Sequence, residues 1–305
     1  MTAAGPSAAE VAPGEELIPG YRAVARLAHG GRVDTWDALD EDRGTRCVVK
    51  ILRPDRVDEP DIVAAVVREG EVLTRLQHPH LVRCFHTVGP PRPAVVLETL
   101  RGATVGAVLD DGPMPVPDVA MLGTQVASAL HYLHRHGWLH LDVKPDNVVA
   151  EHGKAVLIDL SLAGRIGEDG RPGAGTPGYL APEQATGLGL GPHTDVYGLG
   201  ITLWEALSGD LARGEDPWDR PEGRRALAHR PIRRPRGAAR QAGRRDPLAR
   251  ARAQARRIAA HPTLPNDTPA DLAALLSAAI DPDPAARPTL PELTAGLAPH
   301  TDQSG

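Results

Sequence analysis

From Tyr21 to Leu100, hydrophobic residues are grouped in short runs that polar and turn-forming residues separate. Runs rich in apolar and β-branched residues, punctuated by Gly, Pro or Asp, predict strands at Tyr21–Leu27, Thr35–Leu39, Arg46–Leu52, Leu81–Val88 and Ala94–Leu97. Between the third and fourth runs, Asp61–Leu76 has its apolar residues at helical spacing. This pattern predicts a small α+β unit with one main helix.

After Arg101-Gly102 the period becomes helical. Val119–His136 is predicted to be an amphipathic helix that ends at Gly137. Val148–Ile158 resembles a short hairpin, and Asp195–Leu207 is almost entirely apolar, as expected of a buried helix. Two further helices are predicted at Asp271–Ile280 and Pro291–Leu297.

Composition is typical of a globular protein, with 41% hydrophobic and 24% charged residues in 305. This length allows one large domain or two small ones. The net charge of −5 argues against an obligate nucleic-acid binder. Cys47 and Cys84 are too few for a disulfide framework, and no signal peptide or membrane-spanning run is found, so we expect a cytoplasmic protein.

Two segments lie outside the periodic pattern. Residues 1–19 are rich in Ala, Gly, Pro and Glu and are expected to form a disordered tail. In 210–268, fifteen arginines and five acidic residues fall between Arg213 and Arg257. That insert is either a solvated loop or a docking surface for an acidic partner, nucleic acid or anionic lipid.

The chemistry is concentrated in the loop His140–Asn147 and in Asp159, which ends an apolar run. An isolated Asp in a loop is usually a cap or turn residue. Here Lys144 and Asn147 follow Asp142 by two and five residues, and the combination is far more specific. Such a set suits binding a divalent metal and phosphate oxygens while a hydroxyl loses its proton.

These motifs resemble the protein kinase family over about Tyr21–Leu297, in particular the bacterial eukaryotic-like (Hanks-type) serine/threonine kinases of an actinobacterial type. The resemblance implies a bilobal α+β fold. A β-rich N-lobe with one main helix would occupy about 20–98 and a mainly helical C-lobe about 102–298, followed by a tail at 299–305.

The resemblance also implies catalytic roles. Asp142 would accept the substrate hydroxyl proton and Lys144 would neutralise the γ-phosphate. Asn147 and Asp159 would bind Mg²⁺, or Mn²⁺ in its place. Lys50, one of only three lysines in the chain, would bind the α- and β-phosphates of ATP.

The ion-pair partner of Lys50 is expected to be Glu69, although Glu71 lies in the same predicted helix. Counting back from Leu76-Gln77-His78-Pro79 favours Glu69. The remaining nucleotide-binding positions implied by the resemblance are Ala28, Gly30, Val33, Thr35, Val48, Glu98 and Leu100.

Gly175–Gln184 resembles the family's peptide-substrate segment. The resemblance implies a buried ion pair of Glu183 with Arg287 and hydrogen bonds from the catalytic-loop backbone to Asp195. It also implies that Thr176 contacts Asp142 and Lys144.

Several positions depart from the family pattern. Ala28 and Val33 replace two glycines of the phosphate-binding loop, which predicts a weaker hold on nucleotide. Leu141 replaces the Arg that binds an activation-loop phosphate, and Leu160-Ser161 replaces Phe-Gly. Residues 162–175 contain no Ser or Thr, so we expect activity that does not require phosphorylation of this segment.

The sequence therefore favours a serine/threonine protein kinase acting on a protein hydroxyl. The alternatives are a pseudokinase that serves as a nucleotide- or partner-binding scaffold, and a small-molecule phosphotransferase. The last is disfavoured by the peptide-platform motif at Gly175–Gln184.

Overall fold

The computed structural model describes residues 11–210 and 263–302. They divide into two units. The first runs to Arg101 and includes Asp159–Ser161, and the second comprises Gly102–Ile158 and the chain from Leu162 onward.

The first unit is built on a six-stranded antiparallel sheet with strand order β1-β2-β3-β4-β6-β5. Its strands are β1 Glu16–Ile18, β2 Tyr21–His29, β3 Val33–Asp40, β4 Thr45–Leu52, β5 Cys84–Val88 and β6 Ala94–Glu98. Side chains alternate strictly between buried and half-buried along β3. One face of the sheet, with Trp36, Cys47 and Val49, therefore belongs to the hydrophobic core.

Helix α1, Pro60–Arg75, packs against β5 in this unit. Pro60 occupies the first turn, where its missing N–H costs no hydrogen bond. Gly70 allows close approach to the sheet, because a Cβ there would lie 2.8 Å from the Thr87 side chain. The buried face of α1 carries Val66, Val72 and Leu73 together with one carboxylate, Glu69.

The second unit is mainly helical. Its helices are α2 Val105–Leu109, α3 Val116–Arg135, α4 Pro192–Ser208, α5 Ala270–Ala279 and α6 Leu290–Leu297. Its short strands are β7 Ala103–Thr104, β8 Trp138–Leu139, β9 Val148–Glu151, β10 Lys154–Leu157 and β11 Gly164–Arg165. One-turn 3₁₀ helices occur at Pro145–Asn147, Pro182–Ala185 and Pro284–Ala286, in addition to Pro54–Arg56 in the first unit and Ala298–His300 near the end.

Helix α4 forms the centre of the second unit, and every residue from Thr194 to Leu207 is buried. Two of its glycines allow neighbouring elements to approach closely. A Cβ at Gly198 would lie 3.2 Å from the Val143 side chain and backbone, and one at Gly200 would lie 2.8 Å from Ile280. The start of α4 is thereby placed against the loop that contains Asp142.

The predicted α+β class is confirmed, and each predicted helix and hairpin is present within a few residues of its expected ends. Two predictions need correction. β1 lies within the predicted disordered tail at 1–19, because Leu17 and Ile18 bury their side chains in the core of the first unit. The strand predicted from Leu81 begins only at Cys84.

The Arg-rich insert at 210–268 lies outside the described residues over 211–262, as do residues 1–10 and 303–305 of the two terminal tails. Within the described ranges, no helix has the length and apolar character needed to cross a membrane.

Candidate active site

The Asp142 carboxylate lies at the centre of a polar cluster in the second unit. Its Oδ1 accepts hydrogen bonds from the backbone N–H of Thr176 at 2.9 Å and from the Thr176 hydroxyl at 2.7 Å. Its Oδ2 lies 3.1 Å from Lys144 Nζ and 3.0 Å from Asn147 Nδ2. Lys144 also donates to the Thr176 hydroxyl at 2.6 Å. The contacts expected of Thr176 are thus confirmed.

The residue before Asp142 has a strained backbone. Leu141 has φ +64°, a left-handed conformation that costs a non-glycine residue on the order of 1–2 kcal/mol. Asp195, at the start of α4, compensates by accepting hydrogen bonds from the N–H groups of His140 (2.9 Å) and Leu141 (2.7 Å). The expected anchoring of the loop backbone by Asp195 is confirmed.

Asp195 is itself held by His134, whose Nε2 lies 2.7 Å from Asp195 Oδ2. Burial tends to raise the pKa of the Asp195 carboxyl, but the bond from His134 and the loop N–H groups outweigh it, so the pKa is lowered. Asp195 is therefore an anion at neutral pH and can accept from both N–H groups. Sequence reasoning missed His134, whose only signal is its position near the C-terminal end of α3.

A second polar cluster lies in the first unit. Lys50 Nζ is 2.7 Å from Glu69 Oε1 and 3.1 Å from Asp159 Oδ1. Glu69 is 2% exposed and Glu71 is exposed, which decides in favour of Glu69 as the partner of Lys50.

The pKa shifts follow from this arrangement. Burial tends to lower the pKa of the Lys50 ammonium, but the Glu69 and Asp159 carboxylates outweigh it and the pKa is raised. Burial tends to raise the pKa of the Asp159 carboxyl, yet Lys50 and the Ser161 N–H bring it well below its usual range. Burial raises the pKa of Glu69 despite the opposing effect of Lys50. A charged lysine is thereby held beside an ionised Asp159.

Residues 21–296 match the family model described as the protein kinase domain. The chain belongs to the protein kinase family. It is 29% identical over 201 residues to the SNF1-related protein kinase catalytic subunit alpha KIN12 of Arabidopsis thaliana, covering 64% of this chain and 40% of that protein.

Two bacterial relatives are similar to the same extent. The serine/threonine-protein kinase PknB of Mycobacterium leprae is 32% identical over 196 residues, 60% of this chain and 32% of that protein. The serine/threonine-protein kinase Pkn1 of Myxococcus xanthus is 31% identical over 203 residues, 63% of this chain and 29% of that protein. The chain therefore spans well under two thirds of the length of each of these three relatives.

In this kinase domain, several of the predicted nucleotide-binding residues share one face of the first unit's sheet. Thr35 on β3 lies directly opposite both Ala28 on β2 and Lys50 on β4, and Val48 is two residues before Lys50. Strand alternation places these four residues on the face opposite the hydrophobic core. The predicted nucleotide-binding positions Ala28, Thr35 and Val48 therefore lie on the same face of the sheet as Lys50.

Glu98, another predicted nucleotide-binding residue, makes two hydrogen bonds to the backbone of Arg83. Its N–H donates to the Arg83 carbonyl at 2.9 Å, and its Oε1 accepts from the Arg83 N–H at 2.9 Å. Both groups are therefore engaged within the first unit. Leu100, which follows β6, lies in a segment without regular secondary structure and is half-exposed.

The hairpin tip between β2 and β3 is tightly closed. The Gly30 N–H donates to the Val33 carbonyl at 3.0 Å, and a Cβ at Gly30 would lie 2.7 Å from that oxygen. Arg53, which follows β4, donates from its guanidinium to the Gly30 carbonyl (3.0 Å) and from its backbone N–H to the Arg32 carbonyl (3.1 Å). Sequence reasoning missed Arg53, since no local pattern distinguishes it from the many other arginines.

The predicted metal ligands have suitable chemistry. A carboxylate at Asp159 and an amide oxygen at Asn147 are hard donors of the kind Mg²⁺ prefers. Asn147 Nδ2 donates to the Asp142 carbonyl and carboxylate, which leaves the amide oxygen as its remaining polar atom. Across 11–210 and 263–302, no group of three His, Cys, Asp or Glu side chains could hold a metal by itself.

Glu183 and Arg287 form the expected buried ion pair. Both guanidinium NH groups reach the carboxylate, at 2.7 and 3.0 Å, and the Arg287 side chain is fully buried. This pair fixes the end of the Gly175–Gln184 segment to the loop before α6.

Proposed function

We propose that this kinase domain transfers the γ-phosphoryl group of ATP to a serine or threonine hydroxyl of a protein. The observation that supports it best is the environment of Asp142. One oxygen accepts two hydrogen bonds from Thr176, and the other faces the Lys144 ammonium and the Asn147 amide. A carboxylate oriented in this way can accept the proton of an incoming hydroxyl.

In the proposed reaction, the substrate oxygen bonds to the γ-phosphorus while the bond from that phosphorus to the bridging oxygen breaks, releasing ADP. The hydroxyl proton passes to Asp142. Lys144 stabilises negative charge on the transferred group, and Lys50, held by Glu69, binds the α- and β-phosphates. Mg²⁺ bound by Asp159 and Asn147 would neutralise charge on the phosphate oxygens. Catalysis would thus consist of positioning and charge stabilisation.

We also propose that turnover does not require a phosphate on the activation segment. No Ser or Thr occurs from Leu162 to Gly175, and Leu141 stands where the family's phosphate-binding Arg would be. The first hydroxyl after that stretch, Thr176, is engaged by both Asp142 and Lys144. Mass spectrometry combined with phosphatase treatment tests this: activity should survive complete dephosphorylation.

The second candidate is a pseudokinase scaffold. The observation that favours it is the closed hairpin tip with Ala28 and Val33. Fewer backbone N–H groups can come close to phosphate there than in a glycine-rich loop.

Phosphoryl transfer from radiolabelled ATP, with Mg²⁺ or Mn²⁺ and a generic protein acceptor, separates the two functions. Asp142→Asn and Lys50→Met should each abolish incorporation. Asp146→Asn is the matched control, because Asp146 is exposed in the same loop and its carboxylate lies against Gly106 rather than Asp142. Equal incorporation by all four proteins would mean a contaminating kinase and would refute the proposal. Thermal stabilisation by Mg·ATP without incorporation would instead support the scaffold.

The finer assignments are proposals too. We propose a place among bacterial eukaryotic-like serine/threonine kinases, supported by the two bacterial relatives above. We further propose a cytoplasmic location and an acidic protein partner for the arginines of 210–268. A nucleic-acid partner is disfavoured by the net charge of −5 and by the scarcity of aromatic residues in that segment.

A further inference from the structure

Gln184 has a buried side-chain amide that joins two distant parts of the second unit. It lies in the 3₁₀ turn Pro182–Ala185 and is 5% exposed. Its Nε2 donates to the Leu141 carbonyl at 2.9 Å and to the Ala174 carbonyl at 3.1 Å. Its Oε1 accepts from the Ala181 N–H at 2.9 Å. Both amide hydrogens are thus used, and both hold segments distant in sequence from the turn itself.

The bond to Leu141 acts on the strained residue next to Asp142. The Leu141 N–H is held by Asp195, and its carbonyl is held by Gln184. Because φ at Leu141 is +64°, its peptide groups need partners on both sides to keep this orientation. Gln184 supplies one of the two, and the peptide that it holds leads directly into Asp142.

The bond to Ala174 acts on the residues that approach Asp142 from the other side. Ala174 is followed by Gly175, at φ +132°, where a Cβ would lie 2.4 Å from the Leu180 side chain and 3.3 Å from Gln184 Nε2. Thr176 comes next and donates twice to Asp142. One amide group therefore holds the chain immediately before Asp142 and two residues before Thr176.

A purely local role would not need this arrangement. The bond from Ala181 N–H to Gln184 Oε1 already closes the turn across three residues. The two Nε2 bonds instead span 43 and 10 residues. They join a carbonyl of the catalytic loop to a carbonyl of the segment that carries Thr176, through a group that is neutral at any physiological pH.

We propose that Gln184 is a positioning residue that fixes the Asp142–Thr176 contact and so holds residues 174–176 on the catalytic loop without a phosphate. This inference rests on the proposed phosphoryl transfer. It adds a specific residue to that function and predicts which kinetic constant the residue controls. Since Gln184 acts on the base and not on the nucleotide, its loss should affect kcat and leave the KM for Mg·ATP almost unchanged.

The chain offers a matched control in Gln125 on α3. Its Nε2 donates to the Gly153 carbonyl at 2.8 Å, and its Oε1 accepts from the Ala155 N–H at 2.6 Å. The same amide chemistry thus joins two elements, but at the β9–β10 hairpin. Gln184→Leu should lower kcat by up to about 100-fold, the order expected for a misplaced catalytic group, with KM for Mg·ATP changed less than about twofold. Gln125→Leu should leave both constants within about twofold of wild type.

Gln184→Glu keeps the shape and tests the hydrogen-bond donor. As a carboxylate, the new group would face the Leu141 and Ala174 carbonyl oxygens, so its pKa should be raised and its protonated form can donate again. We expect the activity of this variant relative to wild type to increase as the pH falls from 8 to 6. The Gln125→Glu ratio should stay flat. A flat ratio for Gln184→Glu, or unchanged kcat in Gln184→Leu, would overturn the proposal.

Hydrogen exchange on the nucleotide-free protein gives a readout that needs no activity. In Gln184→Leu the Thr176 N–H, bonded to Asp142 Oδ1, should exchange faster, whereas in Gln125→Leu the acceleration should occur at Ala155. An inactive wild type with this exchange pattern would remove the proposed function but keep the positioning role. An active wild type whose Gln184 variants show neither effect would remove only the positioning role.

Discussion

Removing the Lys50 ammonium tests the charge cluster of the first unit most directly. Lys50→Met keeps a long unbranched side chain and deletes the charge. The change leaves Glu69, 2% exposed, facing Asp159 without the cation that lies 2.7 and 3.1 Å from the two carboxylates.

Coulomb's law sets the scale of the loss. At an effective dielectric constant of about 20, contacts at these two distances are worth roughly 6 and roughly 5 kcal/mol before any desolvation cost. Desolvation of the ammonium offsets much of that sum. Breaking a buried ion pair by removing one partner typically costs about 3–5 kcal/mol. For a protein of this size, that loss corresponds to a fall in Tm of roughly 10 °C at pH 8.

The loss should depend on pH in a defined direction. Burial already raises the pKa of Glu69, and without Lys50 only the backbone hydrogen bond from Leu160 opposes that effect. The folded variant then keeps a proton that the unfolded chain releases above its ordinary pKa of about 4.3. A group with a raised folded-state pKa stabilises the fold below its unfolded value and loses that contribution as pH rises. The difference from wild type should therefore be larger at pH 8 than at pH 6.

Differential scanning fluorimetry without nucleotide at both pH values is the assay. Lys154→Met is the control, because Lys154 is exposed and its replacement should change stability by less than about 0.5 kcal/mol. Lys50→Met combined with Glu69→Gln should recover part of the loss at pH 8, since a buried glutamine stays neutral without having to keep a proton. A Tm for Lys50→Met within 2 °C of wild type at pH 8, or a difference that is the same at both pH values, would refute this account of the cluster.

Three further substitutions test other parts of the site. Arg53→Ala removes the guanidinium that holds the hairpin tip, so KM for Mg·ATP should rise several-fold in steady-state kinetics with little change in kcat. Arg46→Ala, which removes an exposed ion pair, is the control and should change neither constant. Equal effects of the two substitutions would contradict the role of Arg53. Asp195→Asn weakens the two hydrogen bonds that hold the strained loop, so kcat should fall at least about tenfold while Mg·ATP still raises Tm. Full activity of this variant would exclude the anchoring role of Asp195. Glu183→Gln leaves buried Arg287 without its carboxylate and should cost about 3–5 kcal/mol in urea unfolding, and a loss below 1 kcal/mol would disprove the pair's contribution.

Much of the fold could be predicted because short local patterns of apolar residues indicate its helices and strands. The short β-rich runs of β3 and β4, the apolar spacing of α1 and the apolar run of α4 each depend on fewer than twenty neighbouring residues. β1 escaped prediction for the opposite reason. Three residues are too few to show a period, and their burial depends on a sheet formed by residues further along the chain.

Within the candidate site, spacing along the chain was enough to single out Asp142, Lys144, Asn147 and Asp159 as candidates, and the scarcity of lysine pointed to Lys50. The choice between Glu69 and Glu71 needed the structure, because both lie in one helix and only its packing on the sheet decides which carboxylate is buried. The left-handed backbone conformation of Leu141 also could not be predicted from the sequence, because tertiary contacts hold the residue in that strained dihedral.

The sequence alone therefore determined the identity and order of the chemical groups, since these follow from short motifs and local periodicity. Tertiary structure decided which groups hold them in place. Arg53 reaches a carbonyl 23 residues away, Asp195 binds N–H groups 54 and 55 residues away, and Gln184 binds a carbonyl 43 residues away. Contacts over such separations exist only once packing has brought the elements together, and no local pattern encodes them.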